Sequence, residues 1–170
     1  MGVGKKFDHP PLLGPGAYLM SLPDLERLLL SGELDTQRRR YGFQKIEEVV
    51  QILLRAKFKC ELWIDGSLLT RKPDPGDVDL SIVLDHDVLE SMLPEQREIY
   101  NQAAVGELLE GVDSDAHGRF PRGHPHFGNP AVDTACGLGD LYGQEHSEEW
   151  LKGYVILRLG ENDVGLRICS

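Results

Sequence analysis

The sequence predicts a small α/β (α+β) domain, a mixed β-sheet flanked by helices. Three observations carry this. Residues 35–57 show apolar spacings of three and four. The runs KCELWIDG and GDVDLSIVL alternate or run apolar over strand lengths. Further helical segments follow them along the chain. With 170 residues, 41% hydrophobic and 27% charged, the chain can bury one sizeable core. Residues 1–20 read as an extended arm and residues 21–170 as a single domain.

The arm is rich in Pro and Gly. Pro10 and Pro11 favour extended backbone, and Gly14 and Gly16 favour turns. SLPDLERLLLSG reads as a short helix with Ser21 as its cap, Asp24 three residues on, and Gly32 after its end. In the long helix that follows, Ile46, Val49, Val50, Leu53 and Leu54 form the apolar face, and Gly42 weakens its first half. Arg38, Arg39 and Arg40 are expected on a solvated face. A strand ends at Gly66 and a second begins near Asp77. DHDVLESML then reads as a short helix, and Pro94 opens another over PEQREIYNQAAVGELLEG. Residues 111–129 lack periodicity and read as a polar loop. PAVDTACG is a strand candidate. SEEWLKGYVILRLG reads as a helix with Trp150, Tyr154 and Leu157 on one side, and VGLRIC as a closing strand.

No apolar run is long enough for a membrane span, and the N-terminus lacks the apolar core of a signal peptide, so a cytoplasmic location is expected. Cys60, Cys136 and Cys169 form no CxxC pair and are expected as buried thiols. A net charge of −10 disfavours a large nucleic-acid footprint.

The stretch carrying chemistry is WIDGSLLTRKPDPGDVDL, residues 63–80. Strand residues two apart share a face, so Asp77 and Asp79 project together while Val78 and Leu80 point to the core. Two adjacent carboxylates repel unless a cation lies between them. Gly66 lets backbone approach an anion, and Ser67 adds a hydroxyl. Together these suit a triphosphate and its Mg²⁺ or Mn²⁺ ion. Lys72 and Arg71 lie between the two halves, where either can meet phosphate. Asp65 and Asp74 read as turn residues. His117, His124 and His126 lack a fourth zinc ligand at sensible spacing, and their segment reads as a surface loop. Trp63 and Trp150 read as core.

Gly66-Ser67, then residues 68–76, then Asp77-Val78-Asp79 resembles the nucleotidyltransferase superfamily that includes DNA polymerase beta. The resemblance implies a minimal nucleotidyltransferase fold, with Gly66 and Ser67 on the nucleotide and Asp77 and Asp79 on the metal. It also implies a third carboxylate on a later strand, for which Asp133 in PAVDTA is the choice. Asp113, Asp115 and Asp140 compete but sit in loop-like sequence. Gly14-Pro15-Gly16, the W-x-D-G-S core and Trp150 are similar to short bacterial and phage proteins of that superfamily. The expected function is transfer of a nucleoside monophosphate from an NTP to a hydroxyl of RNA, protein or a small molecule. The alternative is a non-catalytic nucleotide- or protein-binding member, such as a toxin–antitoxin or phage-defence component.

Overall fold

A computed structural model describes residues 9–142 and 152–160. Its centre is a mixed five-stranded sheet in the order β1-β5-β2-β3-β4. The strands are β1 (Gly16–Leu19), β2 (Cys60–Asp65), β3 (Val78–Asp85), β4 (Val112–Arg119) and β5 (Gly153–Leu159). β2 runs antiparallel to β3 and β5, while β3–β4 and β1–β5 are parallel. The helices are α1 (Leu22–Leu29), α2 (Gln37–Arg55), α3 (His86–Ser91), α4 (Pro94–Ala104) and α5 (Leu138–Tyr142).

Strand alternation divides the sheet into two unlike faces. Leu62 and Ile64, then Val78, Leu80, Ile82 and Leu84, then Val155, Leu157 and Leu159 face one way. They form a single core with Leu25 and Leu29 of α1 and Ile46, Val49, Val50 and Leu53 of α2. Each fully buried aliphatic side chain here contributes roughly 1.5–3 kcal/mol of transfer free energy. The expected cap of α1 forms as a reciprocal box: Asp24 N–H donates to Ser21 Oγ at 3.2 Å, and Ser21 N–H donates to the Asp24 carboxylate at 3.4 Å. Thr36 Oγ1 caps α2 by accepting from Arg39 N–H at 3.3 Å. Gly42 also packs closely: a Cβ there would stand 3.1 Å from a Leu68 methyl, which would have to give by a few tenths of an ångström.

The arm is extended as expected, and it is tied into the domain at several points. Leu12 N–H donates to Leu69 O at 2.8 Å, Arg71 N–H donates to Pro10 O at 2.8 Å, and β1 then joins the sheet edge beside β5.

Five expectations need correction. Residues 112–119, read as loop, are β4. Its core-side residues are small, and Ser114 Oγ donates to Ala103 O of α4 at 3.1 Å, so the usual apolar strand signal is absent. PAVDTACG is a series of turns rather than a strand. GYVILRL, read as helix, is the strand β5; its pairing on both sides favours period two over the spacing of Tyr154 and Leu157. The helix opened by Pro94 ends at Ala104, before Gly106 at φ 74°. Trp150, Cys169 and the VGLRIC segment lie outside the described residues. Cys60 is buried, whereas Cys136 is exposed. Among the described residues, no helix is long and apolar enough to cross a membrane.

Candidate functional site

The second face of the sheet is polar. Register places Asp65 of β2 beside Asp79 of β3, and Asp79 beside Asp113 of β4. One step along, Trp63, Ser81 and Asp115 form the next row across the same strands. Asp77 lies one residue before β3 and is exposed.

Gly66 and Asp79 converge closely. A Cβ built on Gly66 would lie 1.7 Å from Asp79 Oδ2, and the Gly66 backbone sits at φ 79°. Only glycine both adopts that backbone and leaves room for the carboxylate. Ser67 Oγ accepts a hydrogen bond from Gly76 N–H at 3.0 Å, tying the Gly-Ser bend to the loop that leads into Asp77. As an acceptor in that bond, the hydroxyl keeps its own hydrogen to donate. Gly66, Ser67, Asp77 and Asp79 therefore border one corner of the polar face. Lys72 lies in the intervening loop; its backbone oxygen accepts from Arg39 at 3.1 Å.

That loop is held by a residue the sequence reading placed in solvent. Arg39 is fully buried, and its guanidinium donates to the carbonyls of Leu68, Thr70 and Lys72. The signal was available: Arg39 stands three and four residues before Gly42 and Phe43, on the buried stripe of α2. Arg38 binds Pro75 O at 3.0 Å, adding a second clamp on the same segment.

Asp65 does more than order a turn. It is buried at the end of β2, with Lys152 Nζ 3.0 Å from Oδ1. The contact is an ion pair rather than a well-angled hydrogen bond, since Oδ1 has no donor of good geometry. Burial pushes the Asp65 carboxyl up to about 6 against the pull of Lys152, and nearby Asp79 adds to the rise.

The structure does not bring Asp133 to this corner. Asp133 is buried within its own turn, where Oδ2 accepts from Gly128 N–H at 2.8 Å. Its neighbours Thr134 and Ala135 bond to Gly118, at the far end of β4. Gly118 is five residues beyond Asp113, about 16 Å along the strand. Asp113 and Asp115, set aside in the sequence for lying in a supposed loop, project from β4 beside Asp79 and Ser81. Asp113 leans toward the outer edge near Gly106. Asp115 accepts from Ala116 N–H at 2.7 Å through Oδ1, and Oδ2 lies 3.1 Å from His117 Nε2.

Over these rows lies an aromatic group. Trp63, expected in the core, is half-exposed on the polar face and stacks on Tyr154 at 5.1 Å. Tyr142 packs edgewise on both, and its hydroxyl hydrogen-bonds with Ser81 Oγ. At the opposite end of the face, Glu61 is held by Trp63 Nε1, Arg119 and Arg158 at 2.9–3.0 Å. Burial opposes its charge, but these donors keep its carboxyl below the usual range. His124 and His126 cluster with Phe120 and His86, with ring centroids 4.7–5.5 Å apart.

Among the described residues, no three His, Cys, Asp or Glu side chains are placed to enclose a metal ion by themselves. A hard ion that arrives on a triphosphate needs fewer: Mg²⁺ binds through one or two carboxylates and takes phosphate and water oxygens for the rest. The all-oxygen donors Asp77 and Asp79 fit that requirement.

No curated protein and no solved structure matches the chain significantly. A family model described as "Family of unknown function (DUF6932)" matches residues 5–125, a span that holds the Gly-Ser bend, Asp77, Asp79, Asp113 and Asp115 and ends before Asp133. That match extends over most of the 170 residues, and the chain belongs to this family.

Proposed function

We propose that the protein is a metal-dependent nucleotidyltransferase, moving a nucleoside monophosphate from an NTP to a hydroxyl acceptor. The observation that carries this reading is the seating of the Asp79 carboxylate against Gly66, with Asp77 just upstream and Ser67 bonded to the loop between them.

Asp77 and Asp79 would hold a Mg²⁺ or Mn²⁺ ion, which supplies charge neutralisation to the triphosphate. Ser67 donates its hydroxyl hydrogen to an outer phosphate, and Lys72 adds positive charge from the same loop. Arg39 keeps that loop in place through three carbonyls. Asp115 takes the role first given to Asp133: its Oδ2 accepts the proton of the attacking hydroxyl. RNA, a protein side chain or a small molecule would serve as acceptor.

Calorimetry with Mg²⁺ and each of the common NTPs tests the binding half of the reading. Binding should weaken at least about tenfold in Asp79→Asn, the loss of one charge-assisted contact. Incubation with α-labelled NTPs and cell extract tests transfer. Triphosphate binding with no labelled product in any extract would favour a non-catalytic binding member. Absence of binding would refute both.

A further inference from the structure

The register fixes what surrounds the hydroxyl of Tyr142. Its partner, Ser81, lies two residues beyond Asp79 on the same face of β3. Asp115 stands directly opposite Ser81 on β4, and Asp65 stands opposite Asp79 on β2. The Tyr142 oxygen is therefore held among Asp65, Asp79 and Asp115, where an acceptor hydroxyl would have to lie to reach both a metal-bound phosphate and a base. The ring is packed edgewise on Trp63 at 6.4 Å and on Tyr154 at 5.9 Å, so the oxygen is positioned in advance. Ser81 is almost wholly buried beneath it, while Tyr142 ends the short helix α5 and is half-buried.

We propose that Tyr142 is itself an acceptor, so that the protein nucleotidylates its own tyrosine. This rests on the nucleotidyltransferase reading above. Tyr142 Oη attacks the α-phosphorus of the NTP and forms an O–P bond. The bond from that phosphorus to the oxygen bridging the β-phosphorus breaks, and pyrophosphate leaves with the electron pair. The phenolic proton passes to the Asp115 carboxylate. No electron donor or acceptor is needed, and the product is a tyrosyl–nucleoside phosphodiester. Burial pushes the Tyr142 hydroxyl up to about 12, with Asp65, Asp115 and Asp79 adding to the rise against the hydrogen bond with Ser81. The phenol is thus neutral near pH 7, and its proton must be removed during attack.

The test uses the full chain with Mg²⁺ and each α-labelled NTP in turn. Label surviving denaturing gels is measured, the adduct is located by tandem mass spectrometry, and triphosphate binding is followed by calorimetry on the same samples. The expected result is an adduct on Tyr142, lost in Tyr142→Phe, which keeps the ring packing. Asp115→Asn should slow its formation about 100-fold. Triphosphate binding with no adduct, or with an adduct unchanged in Tyr142→Phe, overturns the self-acceptor proposal and leaves the parent reading standing. Neither binding nor label overturns both.

Discussion

Replacing Gly66 with alanine tests the convergence on which the site depends. The new Cβ would fall 1.7 Å from Asp79 Oδ2, 2.5 Å from Cγ and 2.9 Å from Cβ. Ordinary contact begins near 3.4 Å, so the carboxylate or the bend must move by about 1.7 Å. The bend resists, because Gly66 sits at φ 79° and ψ −165°, a region essentially reserved for glycine. Holding alanine there costs about 1–3 kcal/mol, and overpacking a further 1–3 kcal/mol. A loss of about 2–6 kcal/mol is expected by urea unfolding, or roughly 4–24 °C in Tm for a chain of this size. Part of the loss is shared with Asp79. In the double variant Gly66→Ala/Asp79→Ala the clash with the carboxylate disappears, while the 2.9 Å approach to the Cβ of residue 79 and the backbone strain remain. The double-mutant cycle should then show a coupling of about 1–3 kcal/mol. Triphosphate binding should fall at least about tenfold in the single variant as the carboxylate is displaced. A Gly66→Ala protein of wild-type stability, or a coupling near zero, would refute the claim that this glycine exists to admit Asp79.

Arg39→Met keeps the side-chain length but removes donors to three carbonyls, two of them fully buried. A loss of about 3–5 kcal/mol in urea unfolding is expected, and less than about 1 kcal/mol would show that water replaces the guanidinium. Asp65, with its folded-state value near 6 against an ordinary 3.8, binds more protons when folded than when unfolded. Its contribution to stability is therefore present at low pH and is lost as pH rises from about 4 to about 6, by at most about 3 kcal/mol. The comparison of wild type with Asp65→Asn across that range isolates it from Glu61, whose lowered value acts in the opposite sense; parallel curves would disprove it. Asp133→Asn should leave triphosphate binding and transfer intact, since that carboxylate braces its own turn, whereas Asp115→Asn should slow transfer about 100-fold. The reverse pattern in a transfer assay would restore Asp133 to the site.

The legible parts of this molecule were those where pattern and burial coincide. α1, α2, β2 and β3 each bury a stripe or face that is visibly apolar, and Ser21 with Asp24 marks a helix start by chemistry alone. Gly66, Ser67, Asp77 and Asp79 were readable because a glycine bend and paired acids sit next to those strands. β4 was illegible because it fills its buried face with Ser114, Ala116 and Gly118 and spends its other face on Asp113, Asp115 and His117. Removing β4 from the reading forced the third carboxylate onto Asp133. The misreading of β5 has a different cause. Tyr154, Ile156 and Arg158 belong to the polar face and Val155, Leu157 and Leu159 to the core, and a mostly apolar run serves both periods until its pairing partners are known. Arg39 is hard to read as a core residue because charge usually marks exposure, although its spacing from Phe43 and Ile46 places it inward.

The distribution of charge over the polar face argues for a ligand at one end of it. Around Glu61 the acids and bases match in close pairs: Arg119 bridges Glu61 and Asp85, and Arg158 takes the other oxygen of Glu61. Those contacts lower the Glu61 carboxyl and contribute to holding β2, β4 and β5 together. At the Gly66 end, burial holds the Asp65 carboxyl well above its ordinary value even with Lys152 beside it, and the like charge of Asp79 adds to that rise. A fold that needed only stability would gain by replacing one of these acids with an apolar residue. The helices supply the core from the opposite face, and Asp79 and Asp115 take no part in it. On the nucleotidyltransferase reading proposed above, a cation and the phosphate it carries would offset the cost of keeping Asp65 and Asp79 side by side at this corner.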